Sequence, residues 1–135
     1  MNAIADSGFL VALIGKRDQF RDWAMEVAKR ITWPVLSCEP VLAETAFHLQ
    51  SSECVVGMLR DNLIRIAFDC TSHCDHLYDL ATRYADRHPD LADLCLIRMS
   101  ELYPKHTIIT VDEDDFRVYR RNKREAIPLL CPPKK

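Results

Sequence analysis

The chain has 135 residues, of which 48% are apolar and 28% charged, enough for one domain with its own core and no covalent staples. Its 18 basic and 20 acidic side chains leave a net charge of −2, which excludes a molecule that is a polyelectrolyte throughout; a nucleic-acid surface would have to be local. The apolar run Phe9 to Ile14 is too short to span a bilayer, and Asp6 stands where a secretory leader carries positive charge, so a cytoplasmic protein with no membrane partner is expected.

In chain order, Ala3 to Ala5 reads as a short strand ending at Asp6. Ser7 and Gly8 start a helix over Phe9 to Ile14, closed by Gly15. Gln19 to Ile31 predicts an amphipathic helix with Phe20, Trp23, Ala24, Val27 and Ile31 on one face. Pro34 to Ser37 is a strand, and Pro40 sits in the first turn of a helix from Val41 to Gln50 that carries Glu44. A helix over Cys54 to Asn62 leads to a strand over Ile64 to Phe68. A long helix runs from His73 to Arg87, with Leu77, Leu80, Ala81 and Tyr84 inward, and stops before Pro89. Leu91 to Leu102 is the next helix, with Leu91, Cys95, Met99 and Leu102 along one face. Asp90 is its N-cap, and Asp93 follows as in a capping box. Thr107 to Val111 is the clearest strand and empties into Asp112-Glu113-Asp114-Asp115-Phe116. A basic segment, Arg117 to Arg124, precedes a last strand at Ile127 to Leu130.

Strands alternating with helices predict an α/β fold: a doubly wound, mostly parallel central sheet flanked by helices, in a single domain over residues 1–135. Ligands of such sheets bind beyond the carboxyl ends of the strands. The six cysteines, Cys38, Cys54, Cys70, Cys74, Cys95 and Cys131, read as reduced core residues. The cluster Cys70, His73, Cys74 and His76 lacks a CxxC knuckle, so solvated or core side chains are the better account of it than zinc.

Asp6 and Asp112 each follow a strand, and in a parallel sheet those ends share one edge. Glu44 lies between Val41 and Phe47, and Asp93 beside Leu94 and Ile97, both in apolar company where acids are uncommon unless paired or bound to a cation. Singly, each acid could be a helix cap or a rim charge. Gathered on one rim they raise one another's pKa unless a cation neutralises them, and hard oxygen donors favour Mg²⁺ or Mn²⁺.

Four pieces occur in order along the chain: Asp6-Ser7, Glu39-Pro40-Val41-Leu42-Ala43-Glu44, Asp90-Leu91-Ala92-Asp93, and the run from Thr110 to Arg120. Together they resemble a PIN domain, and within that family a VapC-type ribonuclease toxin, over essentially the whole chain. The resemblance implies a divalent-metal-dependent endoribonuclease in which Asp6, Glu44, Asp93 and Asp112 form a catalytic acidic quartet. Asp6, Asp93 and Asp112 would hold the metal, Thr110 would orient the first acid with Ser7 beside it, and Asp115 would be an accessory acid. Whether Asp114 or Asp115 assists, and whether one ion or two are held, stays open. Asp90 falls outside the quartet and keeps its capping role. The expected reaction is hydrolysis of an RNA phosphodiester by in-line attack of a metal-activated water. A toxin of this kind implies a cognate antitoxin, and exposed apolar positions between Phe9 and Val55 would serve that partner or a homodimer.

Arg117, Arg120, Arg121, Lys123 and Arg124, with Tyr119 among them, form a basic patch that would bind RNA phosphates, Tyr119 stacking on a base; Lys16 and Arg17 close the helix after Asp6. A solvated helix face is the competing account of the patch. A phosphoacceptor receiver domain needs paired acids after the first strand, and Asp6 stands alone there. A catalytically silent PIN-like module that binds RNA or a partner is the remaining alternative, and retention of all four acids argues against it.

Overall fold

Short apolar strands with both faces covered form the centre of the molecule, as a parallel sheet requires. The structure is a computed structural model that describes residues 1–134. Its strands are β1 (Ala3–Ala5), β2 (Val35–Ser37), β3 (Ile64–Ile66), β4 (Thr107–Ile109), β5 (Arg120–Arg121), β6 (Glu125–Ala126) and β7 (Leu129–Leu130). Its helices are α1 (Ser7–Ile14), α2 (Arg21–Ala28), α3 (Glu39–Leu49), α4 (Ser52–Arg60), α5 (Cys74–Arg83), α6 (Leu91–Leu102) and α7 (Glu113–Val118).

Five strands form one parallel sheet in the order β3-β2-β1-β4-β7, while β5 and β6 pair antiparallel as a separate ribbon. The fold is the expected doubly wound α/β domain. Because the chain leaves β1 toward β2 on one side and reaches β4 on the other, the order reverses between β1 and β4. A crevice opens at their carboxyl ends, where such folds place ligands. The register pairs Ile4 with Leu36 and with Ile108 across the centre.

Helix ends are set by local chemistry. Asp6, extended at φ −87° and ψ 162°, caps α1, Asp90 caps α6 and Asp112 caps α7. Gln50 and His88 adopt left-handed backbone where the chain turns after α3 and before α6. Phe9, Leu10, Val41, Leu96, Ile97, Met99 and Phe116 fill the core between sheet and helices. Each such side chain contributes roughly 1.5–3 kcal/mol by leaving water. A Cβ on Gly8 would run into the Val111 side chain, so the start of α1 and the end of β4 approach as closely as a glycine permits.

Several expectations need correction. The second helix spans only Arg21–Ala28, leaving Phe20 ahead of it and Ile31 in the connection beyond. The expected long helix is broken: 3₁₀ turns at Thr71–His73 and Ala85–Arg87 flank α5. On α6, Cys95 and Met99 are buried but Leu91 and Leu102 are exposed, because the helix is covered from several sides, by α3, α5 and the sheet, and buries a broad face that includes Ala92, Leu94, Leu96 and Ile97 instead of a narrow stripe. Cysteine burial is divided: Cys38 and Cys95 are buried, Cys54 and Cys74 exposed, and all six are free. His73 stacks on Phe68 at 4.9 Å and accepts a hydrogen bond from Arg98. No helix among the described residues is long and apolar enough to cross a membrane.

Candidate functional site

Asp6 is the residue that continues β1 into the crevice. Its backbone N–H donates to Ile109 O at 3.1 Å, extending the β1–β4 ladder by one bond. Its Oδ1 accepts from the Ser7 N–H at 2.7 Å and its Oδ2 from the Thr110 hydroxyl at 2.6 Å. Thr110 is itself buried, and its oxygen accepts the Asp112 N–H at 3.0 Å. One hydroxyl therefore ties the acid after β1 to the acid after β4. Burial raises the Asp6 pKa, while the Thr110 and Ser7 hydrogen bonds oppose the rise.

Glu44 reaches the same crevice from the middle of α3, where Pro40 near the helix start and buried Val41 and Leu42 fix the helix against the core. Its Oε2 accepts from the Ser7 hydroxyl at 3.0 Å. Desolvation raises its pKa, and the charges of Asp90 and Asp6 add to the rise. Phe47, expected to bury one flank of Glu44, is 77% exposed; only the Val41 side of that pairing is apolar and closed.

Asp93 lies in the first turn of α6. Its N–H donates to Asp90 Oδ1 at 2.8 Å, and its own Oδ2 accepts from the Tyr119 hydroxyl at 3.1 Å. Desolvation, then the negative charges of Asp90 and Asp6, push its pKa up to about 8, with the Tyr119 hydrogen bond working against them. Asp112 is raised by desolvation and by the neighbouring Asp115 charge. Asp115 accepts from Arg87 at 2.8 Å, and its N–H donates to Asp112 Oδ1 at 3.4 Å.

Asp93, Asp112 and Asp115 each offer one oxygen, all within 4.8 Å of one another, a set that can hold a metal ion. Asp6, expected in the metal set with Asp93 and Asp112, lies outside this close trio, because its two oxygens turn toward Ser7 and Thr110. It lines the same cleft of about 350 Å³, together with Glu44, Asp90, Asp93 and Asp112. Asp114 is exposed and lies 4.0 Å from Lys134, whereas Asp115, expected as an accessory acid, is itself a member of the close trio.

Asp90 does more than cap a helix. One oxygen accepts the Asp93 N–H, and its charge raises Asp6, Glu44 and Asp93 from within the cleft. Its proximity follows from the N-cap geometry, which holds the carboxylate over the first turn where Asp93 also sits. Asp18, Gln19 and Phe20, from the α1–α2 connection, also line the cleft. The spacing assigns Gln19 and Phe20 to the helix that follows, and only the later start of α2, at Arg21, frees them to face the cleft.

The basic segment folds differently from the expected patch. Arg121 is buried; it donates to the carbonyls of Ser100 and Pro104, both at 3.0 Å, and pairs with Glu125. Tyr119 is fully buried, with its ring edge-on to Phe116 and Tyr84, and is spent on Asp93 instead of a base. Arg120 is half-buried and donates to the Arg117 and Tyr119 carbonyls. Arg117, Lys123 and Arg124 remain exposed, Arg117 pairing with Glu113.

No known protein family matches the chain by sequence, and no curated protein matches it.

Proposed function

We propose that the chain is a divalent-metal-dependent endoribonuclease that hydrolyses RNA phosphodiesters, of the PIN kind to which its sequence motifs are similar. The observation that carries the reading is the convergence of Asp6, Glu44, Asp93 and Asp112 on one cleft at the β1–β4 switch, with Asp93 held up to about 8. Carboxylates so crowded gain most from a bound cation. The donor set is hard oxygen throughout, which suits Mg²⁺ or Mn²⁺ in preference to zinc. Asp93, Asp112 and Asp115 would hold the ion, and when bound it would supply charge neutralisation at the phosphate and acidify a coordinated water.

The remaining roles belong to the chain. Thr110 fixes the rotamer of Asp6 and the position of Asp112 together. Ser7 directs Glu44 into the cleft, where desolvation raises its pKa and makes it a stronger proton acceptor. Tyr119 holds Asp93 from beneath. As a toxin of a type II pair, the protein would be silenced by a small cognate antitoxin.

The test is incubation of the purified protein with single-stranded RNA and Mg²⁺ or Mn²⁺, against the same mixture with chelator. Cleavage that needs the ion and falls about 10²-fold or more in Asp93→Asn is the expected result. RNA bound but never cut, under every divalent ion tried, would replace this reading with that of a silent binding module. For the toxin role, growth arrest on expression, relieved by a co-expressed product of the adjacent gene, is the expected outcome.

A further inference from the structure

A second hollow opens off the acidic cleft. Phe20 and Trp23 form one wall and Pro132 and Pro133 another, in a groove of about 620 Å³. Gln19, Phe20, Val111 and Asp112 border both hollows, so groove and cleft are continuous. Trp23 is anchored by the fully buried Phe9, edge-on with ring centroids 6.0 Å apart. Phe20 is set by its own N–H, which donates to Asp18 Oδ1 at 2.8 Å. Both rings are half-buried and already positioned, so little freedom is lost when something stacks on them.

We propose that this groove seats the nucleobase beside the phosphodiester that the acidic cleft receives. The assignment rests on the ribonuclease reading above and deepens it. Aromatic walls accept any base through its π-face. The Gln19 side chain offers both a donor and an acceptor to a base edge. Asp112, Glu113 and Asp114 rim the groove against one cation among the described residues, Lys134, which lies 4.0 Å from Asp114, so the rim stays net acidic and favours an uncharged base over a phosphate. With Tyr119 turned into the core, Phe20 and Trp23 take over the stacking role.

The chain has two tryptophans, and the other one, Trp33, precedes the amino end of β2, away from the carboxyl ends where the cleft lies, its indole donating to Ala28 O. Trp33→Phe therefore leaves Trp23 as the only indole reporter. Titration of that variant with adenosine or uridine, which carry no phosphate and need no metal, should quench Trp23 emission saturably. Phe20→Leu keeps the apolar volume but removes the ring, and should weaken the quenching roughly tenfold. In the presence of Mg²⁺ or Mn²⁺, the same variant should lose roughly tenfold in kcat/KM on a short RNA, and roughly twofold or less on the same RNA with abasic ribose on both sides of the scissile diester. Cleavage of both substrates with no nucleoside quenching and equal losses would overturn the seat and leave the ribonuclease reading standing. Nucleoside quenching without cleavage of either substrate would support the seat and remove the ribonuclease. Quenching by a polyproline decapeptide and by neither nucleoside would overturn the assignment in favour of a peptide groove.

Discussion

The Tyr119 hydroxyl donates to Asp93 Oδ2 across 3.1 Å, from a side chain that is itself fully buried. The bond favours the ionised form of Asp93 and opposes the desolvation that raises it. Tyr119→Phe removes the donor with little change in volume, so Asp93 ionises at still higher pH. The pH at which divalent-ion affinity reaches half its maximum should move upward by roughly half to one unit. Isothermal titration with Mn²⁺ across pH 6–9 reads the shift; a midpoint unmoved in the variant contradicts it.

In the ion-free protein, Asp6, Glu44, Asp93 and Asp112 all have pKa values above those of the unfolded chain. The folded state therefore holds its protons more tightly. Stability from these groups is fully present below the ordinary carboxylate range and declines as pH rises, until Asp93 finishes ionising through about pH 8. Denaturant midpoints in EDTA should fall between pH 5 and 9, and a divalent ion should restore them. Asp93→Asn should be more stable than the parent at pH 9 in EDTA, by about 1–2 kcal/mol after allowance for solvent screening. Equal stability of the two at that pH would show that the carboxylate is not strained.

Thr110 donates to Asp6 and accepts from Asp112 in a fully buried position. Thr110→Val preserves shape but orphans the Asp112 N–H and frees the Asp6 rotamer. A loss of about 1–3 kcal/mol in stability is expected, together with a fall in RNA cleavage that Thr110→Ser largely recovers. Recovery by Ser is the decisive comparison, because Ser restores the hydroxyl and not the methyl group.

Arg121 and Lys123 lie two residues apart and should behave oppositely. Arg121→Ala opens the contacts to Ser100 O, Pro104 O and Glu125 and should cost about 2–4 kcal/mol in chemical denaturation. Lys123→Ala should stay within about 0.5 kcal/mol of the parent. If Lys123 contacts RNA, that variant lowers the slope of log affinity against log salt by about one.

What could be read from the sequence was whatever depends on strand ends and caps. Asp6 and Asp112 were placed together by two recognisable apolar runs and the parallel topology they imply, and the β1–β4 register bears this out. Asp93 was legible because a cap fixes the first turn of a helix. The basic run was not legible, because charged residues carry no periodicity and their direction is decided by distant partners. Tyr119 turns in toward Asp93, and Arg121 toward the carbonyls after α6, for reasons that only the assembled fold supplies. Asp90 was undervalued for a different reason: capping uses one oxygen, and that accounts for its position without exhausting its charge.

The Thr110–Asp6 hydrogen bond spans 104 residues of sequence. A contact of that range closes late, since loop-closure entropy must be met before it forms. The cleft drawn together by it takes one acid from near the start of the chain, others from α3 and α6, and the last from the turn after β4. No amino-terminal fragment on the ribosome carries a complete cleft, however well its early helices have folded. Whatever chemistry the cleft performs therefore waits on a single closing step, taken only once β4 has joined β1 in the sheet.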